Sequence, residues 1–265
     1  MKKLLAASLL LASGSAFADP LSSVDAVPSH DAPTKEQQIQ DKKDDWTSGF
    51  HGMVGLAVIN TPTWAGVDDQ ETIGAPLINV HWKDTVYFEY NKLGGWLFKN
   101  DDKTFRVGLV VRSRKGCDKG DCNLVGHEVD AYGIAGVRAK WRNGRFSIDA
   151  SVMGASESDS GGEGEFIAKY TFLANKQMTL TAMAKFEMLS EDAVGYLYYN
   201  TVEDGPKPDS AVNASLGLVG TYNINKDWTL IGAVLATSLD DSIADAPGVT
   251  EDSTTTALLG ATYRF

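Results

Sequence analysis

The chain has too little apolar sequence to cross a membrane with helices. Its one sustained apolar run, Leu4 to Ala12, is nine residues long, whereas a helix crossing ~30 Å of hydrocarbon needs ~20. Basic residues are also scarce, with 24 Lys and Arg against 35 Asp and Glu. So acidic a chain repels a nucleic-acid backbone, which removes that class of partner. Proline is rare, at 8 residues, while 26 glycines and many Thr, Ser and Tyr residues favour strands joined by turns.

The amino terminus sets the route. Lys2 and Lys3 precede the apolar run, and Ala16 and Ala18 place small side chains at positions -3 and -1 of a signal-peptidase site. Residues 1–18 are therefore expected to be a signal peptide cleaved between Ala18 and Asp19, the run being too short for a retained anchor. Cleavage leaves 22 basic residues against 35 acidic ones, a net charge of -13. Residues 19–46 hold three prolines, His30 and the mixed-charge run Lys35 to Asp45. They cannot bury enough surface to fold alone, and a flexible periplasmic tail is expected.

Residues 47–265 alternate with period 2. Phe105, Val107, Leu109 and Val111 oppose Arg106, Gly108, Val110 and Arg112; Phe146, Ile148, Ala150 and Val152 oppose Ser147, Asp149 and Ser151. Phe166 to Phe172 and Met178 to Phe186 repeat the pattern. A soluble sandwich would alternate in the same way. The turns discriminate. Lys83-Asp84, Asn100 to Lys103, Arg142 to Arg145, Ala174 to Gln177 and Asn223 to Asp227 are short, polar and flanked by aromatics such as Trp82, Phe98, Trp141, Phe172 and Trp228. Aromatic rings collect at a membrane interface, and short turns mark the periplasmic rim of bacterial barrels. The longer stretches Thr61 to Thr72, Lys115 to Val129, Ser156 to Glu163, Ser190 to Asp209 and Leu239 to Ser253 suit outer loops.

The last strand turns Thr255, Ala257, Leu259, Ala261, Tyr263 and Phe265 to one face, and the chain ends on an aromatic. Tyr263 and Phe265 resemble the C-terminal assembly signal of outer-membrane barrels. The expected fold is all-β, a transmembrane antiparallel up-and-down barrel of about 12 strands in the bacterial outer membrane. Twelve requires an outer turn near Lys92-Leu93-Gly94 between two short segments; ten strands is the fallback.

Several groups invite chemistry. Cys117 and Cys122 enclose four residues of an outer loop, and in an oxidising compartment a disulfide is expected there. A metal site with His127 is the sharper alternative. His127, Glu128 and Asp130 with Ser156 or Ser158 supply residue types for a hydrolase, but sequence gives no geometry for one, so no catalytic residue is assigned. His51 and His81 are expected to face the interior. Acidic loops containing Asp68, Asp69, Glu71, Asp240 and Asp241 match no defined cation loop. Arg106, Arg112, Arg138, Lys140 and Lys169 fall on wet faces, either lining a narrow anion-attracting lumen or pairing with Asp149, Glu165 and Glu187 to plug it; the plugged reading is adopted. No cofactor is called for.

Asn60 to Gly66, Ala75-Pro76-Leu77-Ile78, His81-Trp82, Gly94-Gly95-Trp96, Val107-Gly108-Leu109 with Arg112 and Arg114, Leu124 to Asp130, and the ending Gly260 to Phe265 occur in an order that resembles the MipA/OmpV family of outer-membrane proteins. Arg114-Lys115-Gly116-Cys117 stands where members often carry Arg-Gly-Arg. The resemblance implies an outer-membrane barrel without agreed catalytic residues. It further implies a scaffold tying a lytic transglycosylase and a penicillin-binding protein to the outer membrane. The expected function is such a non-enzymatic scaffold, its partners outer-membrane lipid and periplasmic murein enzymes, with a small-solute channel or surface adhesin as alternatives and an enzyme as a further one.

Overall fold

A computed structural model describes residues 49–116, 129–156, 160–199 and 208–265. Ala18, Asp19, the tail, Cys117, Cys122, His127 and Ser158 lie outside the described residues. Twelve strands close into one antiparallel barrel, each paired with its sequence neighbours and β1 with β12. They are β1 Phe50–Pro62, β2 Gln70–Trp82, β3 Val86–Glu89, β4 Lys92–Lys99, β5 Phe105–Arg114, β6 Tyr132–Asn143, β7 Phe146–Ala155, β8 Gly162–Ala174, β9 Met178–Leu189, β10 Ala211–Asn223, β11 Trp228–Ser238 and β12 Ser253–Arg264. Reciprocal bonds between Gly52 and Phe265, at 3.2 and 3.1 Å, continue the seam between first and last strands. Closure removes the free edges of the sheet, as hydrocarbon demands, except above the short β3–β4 hairpin.

The alternation sorts side chains as expected. Leu56 and Val152 point outward at 72% and 74% exposure, and Phe146, Phe172 and Phe186 are likewise exposed. Pairs of rings from adjacent strands, Phe50 with Trp82, Phe98 with Phe105, Trp141 with Phe146 and Trp228 with Tyr263, ring the end that carries the five short turns. That end is the periplasmic rim by the interface argument. The turn at Lys83 and Asp84 has both residues at positive φ, 51° and 53°, the geometry of a two-residue hairpin.

The outer turn between β3 and β4 falls at Tyr90-Asn91, two residues before the expected position, and β3 is only four residues long. This hairpin stops partway up the wall, because β3 pairs with β2 only over Asn79 to Trp82. The last bond on that side runs from Tyr90 N to Ile78 O at 2.7 Å. Backbone groups two residues apart point the same way, so Pro76 faces the edge above the hairpin and carries no N–H to leave unsatisfied there.

Two stretches read as polar loops contain short helical pieces with apolar residues turned inward. A short helix, α1 Glu191–Val194, runs into a π-helical turn, Gly195–Tyr199, and α2 Asp241–Ala244 follows β11. Val194, Leu197, Tyr198, Leu239 and Ile243 from these pieces join Trp64 and Val67 in one buried cluster that caps the outer end. β8 also starts earlier than expected, so Glu163 belongs to the wall and not to a loop.

Gly136 shows how tightly the strands pack: a Cβ there would lie 1.9 Å from Val152 O and 2.7 Å from Met153 Cα. Gly136→Val should destabilise the barrel by about 1–3 kcal/mol or more, read as loss of heat-modifiable mobility on gels and a lower urea midpoint. Gly154→Ala, where nothing lies within 4 Å, should stay within about 0.5 kcal/mol of the parent.

Candidate functional site

Inside the barrel, β6 contributes Ile134, Gly136, Arg138 and Lys140, while Ala135, Val137 and Trp141 face lipid. Arg138 is 1% exposed. Its Nε and Nη2 donate to the two carboxylate oxygens of Asp149 at 2.9 and 2.6 Å, and Nη1 lies 2.6 Å from Glu89 Oε2. The guanidinium also sits 5.1 and 5.7 Å from the ring centres of Tyr87 and Trp96. Paired, forked and stacked, it uses every feature that separates arginine from lysine. Tyr87 can lie in place because Gly94 faces it across the ladder: a Cβ at Gly94 would come within 2.3 Å of the ring. Lys140 Nζ donates to both oxygens of Glu89, at 3.0 and 2.9 Å.

A second group lies nearer the outer end. Arg112 Nη2 and Arg114 Nε each donate at 2.5 Å to Glu163, and Arg114 Nη2 reaches Glu187 at 3.0 Å. Glu165 accepts from Lys92 and lies 3.7 Å from Arg112 and 3.8 Å from Lys185. Burying any of these charges alone would be costly, and the pairing offsets that cost. An apolar cluster fills another part of the lumen, where Ile59 and Leu77 pack with Ile167, Val219, Ile231 and Leu258, and buried threonines pair beside it, Thr171 with Thr181 and Thr61 with Thr256.

Of the basic residues singled out from sequence, Arg112, Arg138 and Lys169 are buried inside, Lys140 is half-buried against Glu89, and Arg106 lies at the periplasmic mouth. Glu89, Lys92 and Glu163 were missed as site residues. The first two belong to the hairpin whose turn was misplaced, and the third was assigned to a loop. Tyr263 and Phe265 face outward, Tyr263 against Trp228 at 5.5 Å. Ser156 Oγ accepts from Gly133 N at 3.2 Å. Asp130 is exposed. Among the described residues no group of three His, Cys, Asp or Glu could hold a metal ion.

His51 and His81 oppose each other on β1 and β2, ring centres 5.5 Å apart, at the periplasmic mouth. His51 lies 3.4 Å from Asp84, which Lys103 also contacts at 2.8 Å. Beside them a cavity of about 250 Å³ is lined by Asn79, His81, Glu89, Lys103, Arg106 and Lys140, among others. A cavity of about 120 Å³ at the other end is lined by Trp64, Arg114, Tyr198 and Leu239 with their neighbours. The two share no lining residue.

A family model described as MltA-interacting protein MipA matches residues 54–265. Among solved structures, the outer-membrane protein OmpT of Vibrio cholerae is similar at 12% identity and TM-score 0.39, with 84% of this chain and 99% of that chain covered. The COG4313 outer membrane channel from Pseudomonas putida F1 is similar at 10% identity and TM-score 0.44, over 82% and 96%. An anion-selective porin from Comamonas acidovorans is similar at 9% identity and TM-score 0.38, over 82% and 98%. Nothing matches among curated proteins.

Arg138→Met leaves Asp149 buried without its bidentate partner and should cost about 3–5 kcal/mol, read from urea unfolding followed by tryptophan fluorescence. Arg138→Met combined with Asp149→Leu should recover part of that loss. In the turn, the hydrogen bond with His51, aided by Lys103 and opposed by desolvation, holds the Asp84 carboxyl far below the usual carboxylate range. Its stabilising contribution is full above about pH 4, the unfolded value, and is lost only as pH falls toward the depressed folded value. The urea midpoints of the parent and Asp84→Asn should therefore differ at pH 7 and converge only well below pH 4.

Proposed function

The chain belongs to the MltA-interacting protein MipA family and is an outer-membrane β-barrel; from that premise we propose that it is a non-enzymatic scaffold that presents its periplasmic rim to murein enzymes. One observation carries this reading: the lumen is filled. Between the two end cavities lie Lys92, Arg112, Glu163 and Glu165 in mutual ion pairs, with Ile59, Leu77 and Ile167 fully buried beside them. Above them the outer end is closed by the apolar cap of Val194, Leu197 and Ile243. A solute would have to separate buried ion pairs and apolar contacts together, which disfavours the channel reading.

A closed body leaves the rims as the surfaces that act. The five short turns, each joining two paired strands, form a ring at the periplasmic rim on which a partner can dock. The family description names MltA as the interacting protein, and the resemblance supplies the partner classes, a lytic transglycosylase and a penicillin-binding synthase. The barrel then acts as a membrane-embedded anchor that fixes their distance from the outer membrane.

Photo-crosslinkers placed at Lys83, Asp102, Arg145, Lys176 and Lys226, all in the short turns, should capture a lytic transglycosylase or a penicillin-binding protein from intact cells. Capture of no murein enzyme from any of the five counts against the scaffold. Planar bilayers should show no stepwise conductance; steps that shift when Arg112 or Arg138 is neutralised would establish the channel instead.

A further inference from the structure

Most inward cations of this barrel are matched to a carboxylate. Lys92, Arg112, Arg114, Arg138, Lys140 and Lys185 each lie within ion-pair distance of a buried or half-buried carboxylate. Arg106 points inward from β5 and, among the described residues, forms no hydrogen bond and no ion pair. Its nearest cross-strand neighbours are cations. The register sets it opposite Lys140 on β6 and opposite Lys99 on β4. Like charges directly opposed across a ladder destabilise it.

Lys99 reaches this row through an irregularity. The β4 register slips between Trp96 and Phe98, which reverses the inside-outside alternation. Phe98 then faces lipid at 55% exposure and Lys99 faces in. A bulge that re-aims a side chain in this way is a recurring device near binding sites. Lys99 Nζ donates to Asp84 O at 3.0 Å and to Thr85 Oγ1 at 3.3 Å, both neutral acceptors. The two carboxylates that line the adjoining cavity, Glu89 and Asp149, are already engaged by Arg138 and Lys140.

We propose that the periplasmic mouth binds a small anion carrying two or more carboxylate or phosphate groups. Arg106 supplies the forked guanidinium for one oxyanion, with Lys99 and Lys140 flanking it. The cavity of about 250 Å³ lies near the lower edge of small-molecule sites, ~300–1,000 Å³, so the ligand is a solute and not a polymer. Entry is from the turn side only, because the lumen above is filled. This site goes beyond the scaffold reading and does not depend on it.

Calorimetric titration of the purified barrel in zwitterionic detergent at low ionic strength, with citrate and with inorganic pyrophosphate, tests the proposal. One equivalent of at least one of them should bind, more weakly as salt is raised. Preference for citrate identifies the ligand class as carboxylate, and preference for pyrophosphate as phosphate. Arg106→Gln should weaken binding at least about 10-fold and at the same time raise the urea midpoint, since it removes an uncompensated charge. Lys226→Gln, on a different turn, should change neither. No heat with either anion, or unchanged affinity in an Arg106→Gln barrel of normal heat-modifiable mobility, overturns it. A raised midpoint without any anion binding would also overturn it, because Arg106 would then be only a strained wall residue.

Discussion

Hydrocarbon offers no hydrogen bonds, so a chain that crosses it in strands must satisfy each backbone donor and acceptor on a neighbouring strand. Closure of β1 on β12 follows from that, and closure divides the side chains into an apolar exterior and an enclosed interior. Twelve strands enclose a space that side chains can fill. Here it is filled in two ways. Strands β3 to β9 contribute interlocking charges, centred on Arg138 and Glu165, while β1, β2 and β10 to β12 contribute Ile59, Leu77, Val219, Ile231 and Leu258. The charged part needs partners of opposite sign at matching heights, so strand register and ion-pair geometry constrain each other.

The stretch of wall with the shortest strands is also where charge is concentrated. The half-height β3–β4 hairpin lets Tyr87 and Trp96 lean inward under Arg138, with Gly94 providing the space. The same hairpin ends its ladder below Pro76, the residue whose missing N–H costs nothing at an open edge. Its bulge turns Lys99 inside. Shortening, bulge and glycine thus act together: a full-length regular strand would have placed Lys99 against lipid.

Local pattern made most of the barrel legible. Alternation around Val107, Ile148 and Ala168 told the wet face from the dry one, and aromatics beside short turns told a membrane barrel from a sandwich. The interior was harder because its contacts are remote in sequence: Glu165 meets Lys92 across 73 residues, and Arg138 meets Glu89 across the β3–β6 span. Period 2 states that Arg138 points inward and is silent about which carboxylate it meets. The outer turn between β3 and β4 is expected two residues late, because Tyr90 adopts a positive φ of 60°, which a bulky residue seldom signals. The apolar cap was missed because α1 and α2 are four residues each, too short to show a helical period, so Val194 and Ile243 read as stray apolar residues in acidic loops.

The two ends of the barrel differ in a way that bears on function. The outer end is closed by a cap that includes Trp64, Leu197 and Ile243, so little of its interior is offered to solvent. The periplasmic end keeps an open cavity whose wall carries more cations than anions, on a chain with 35 acidic and 24 basic residues overall. A basic concavity set in an acidic body attracts anions to one spot more strongly than the same charges spread over the surface, because low-dielectric walls focus the field. The row Lys99, Arg106 and Lys140 sets like charges against one another and would be relieved by an anion. Stability and occupancy are therefore coupled at this mouth: whatever neutralises the row also tightens the β4–β5–β6 wall on which the neighbouring periplasmic turns are mounted.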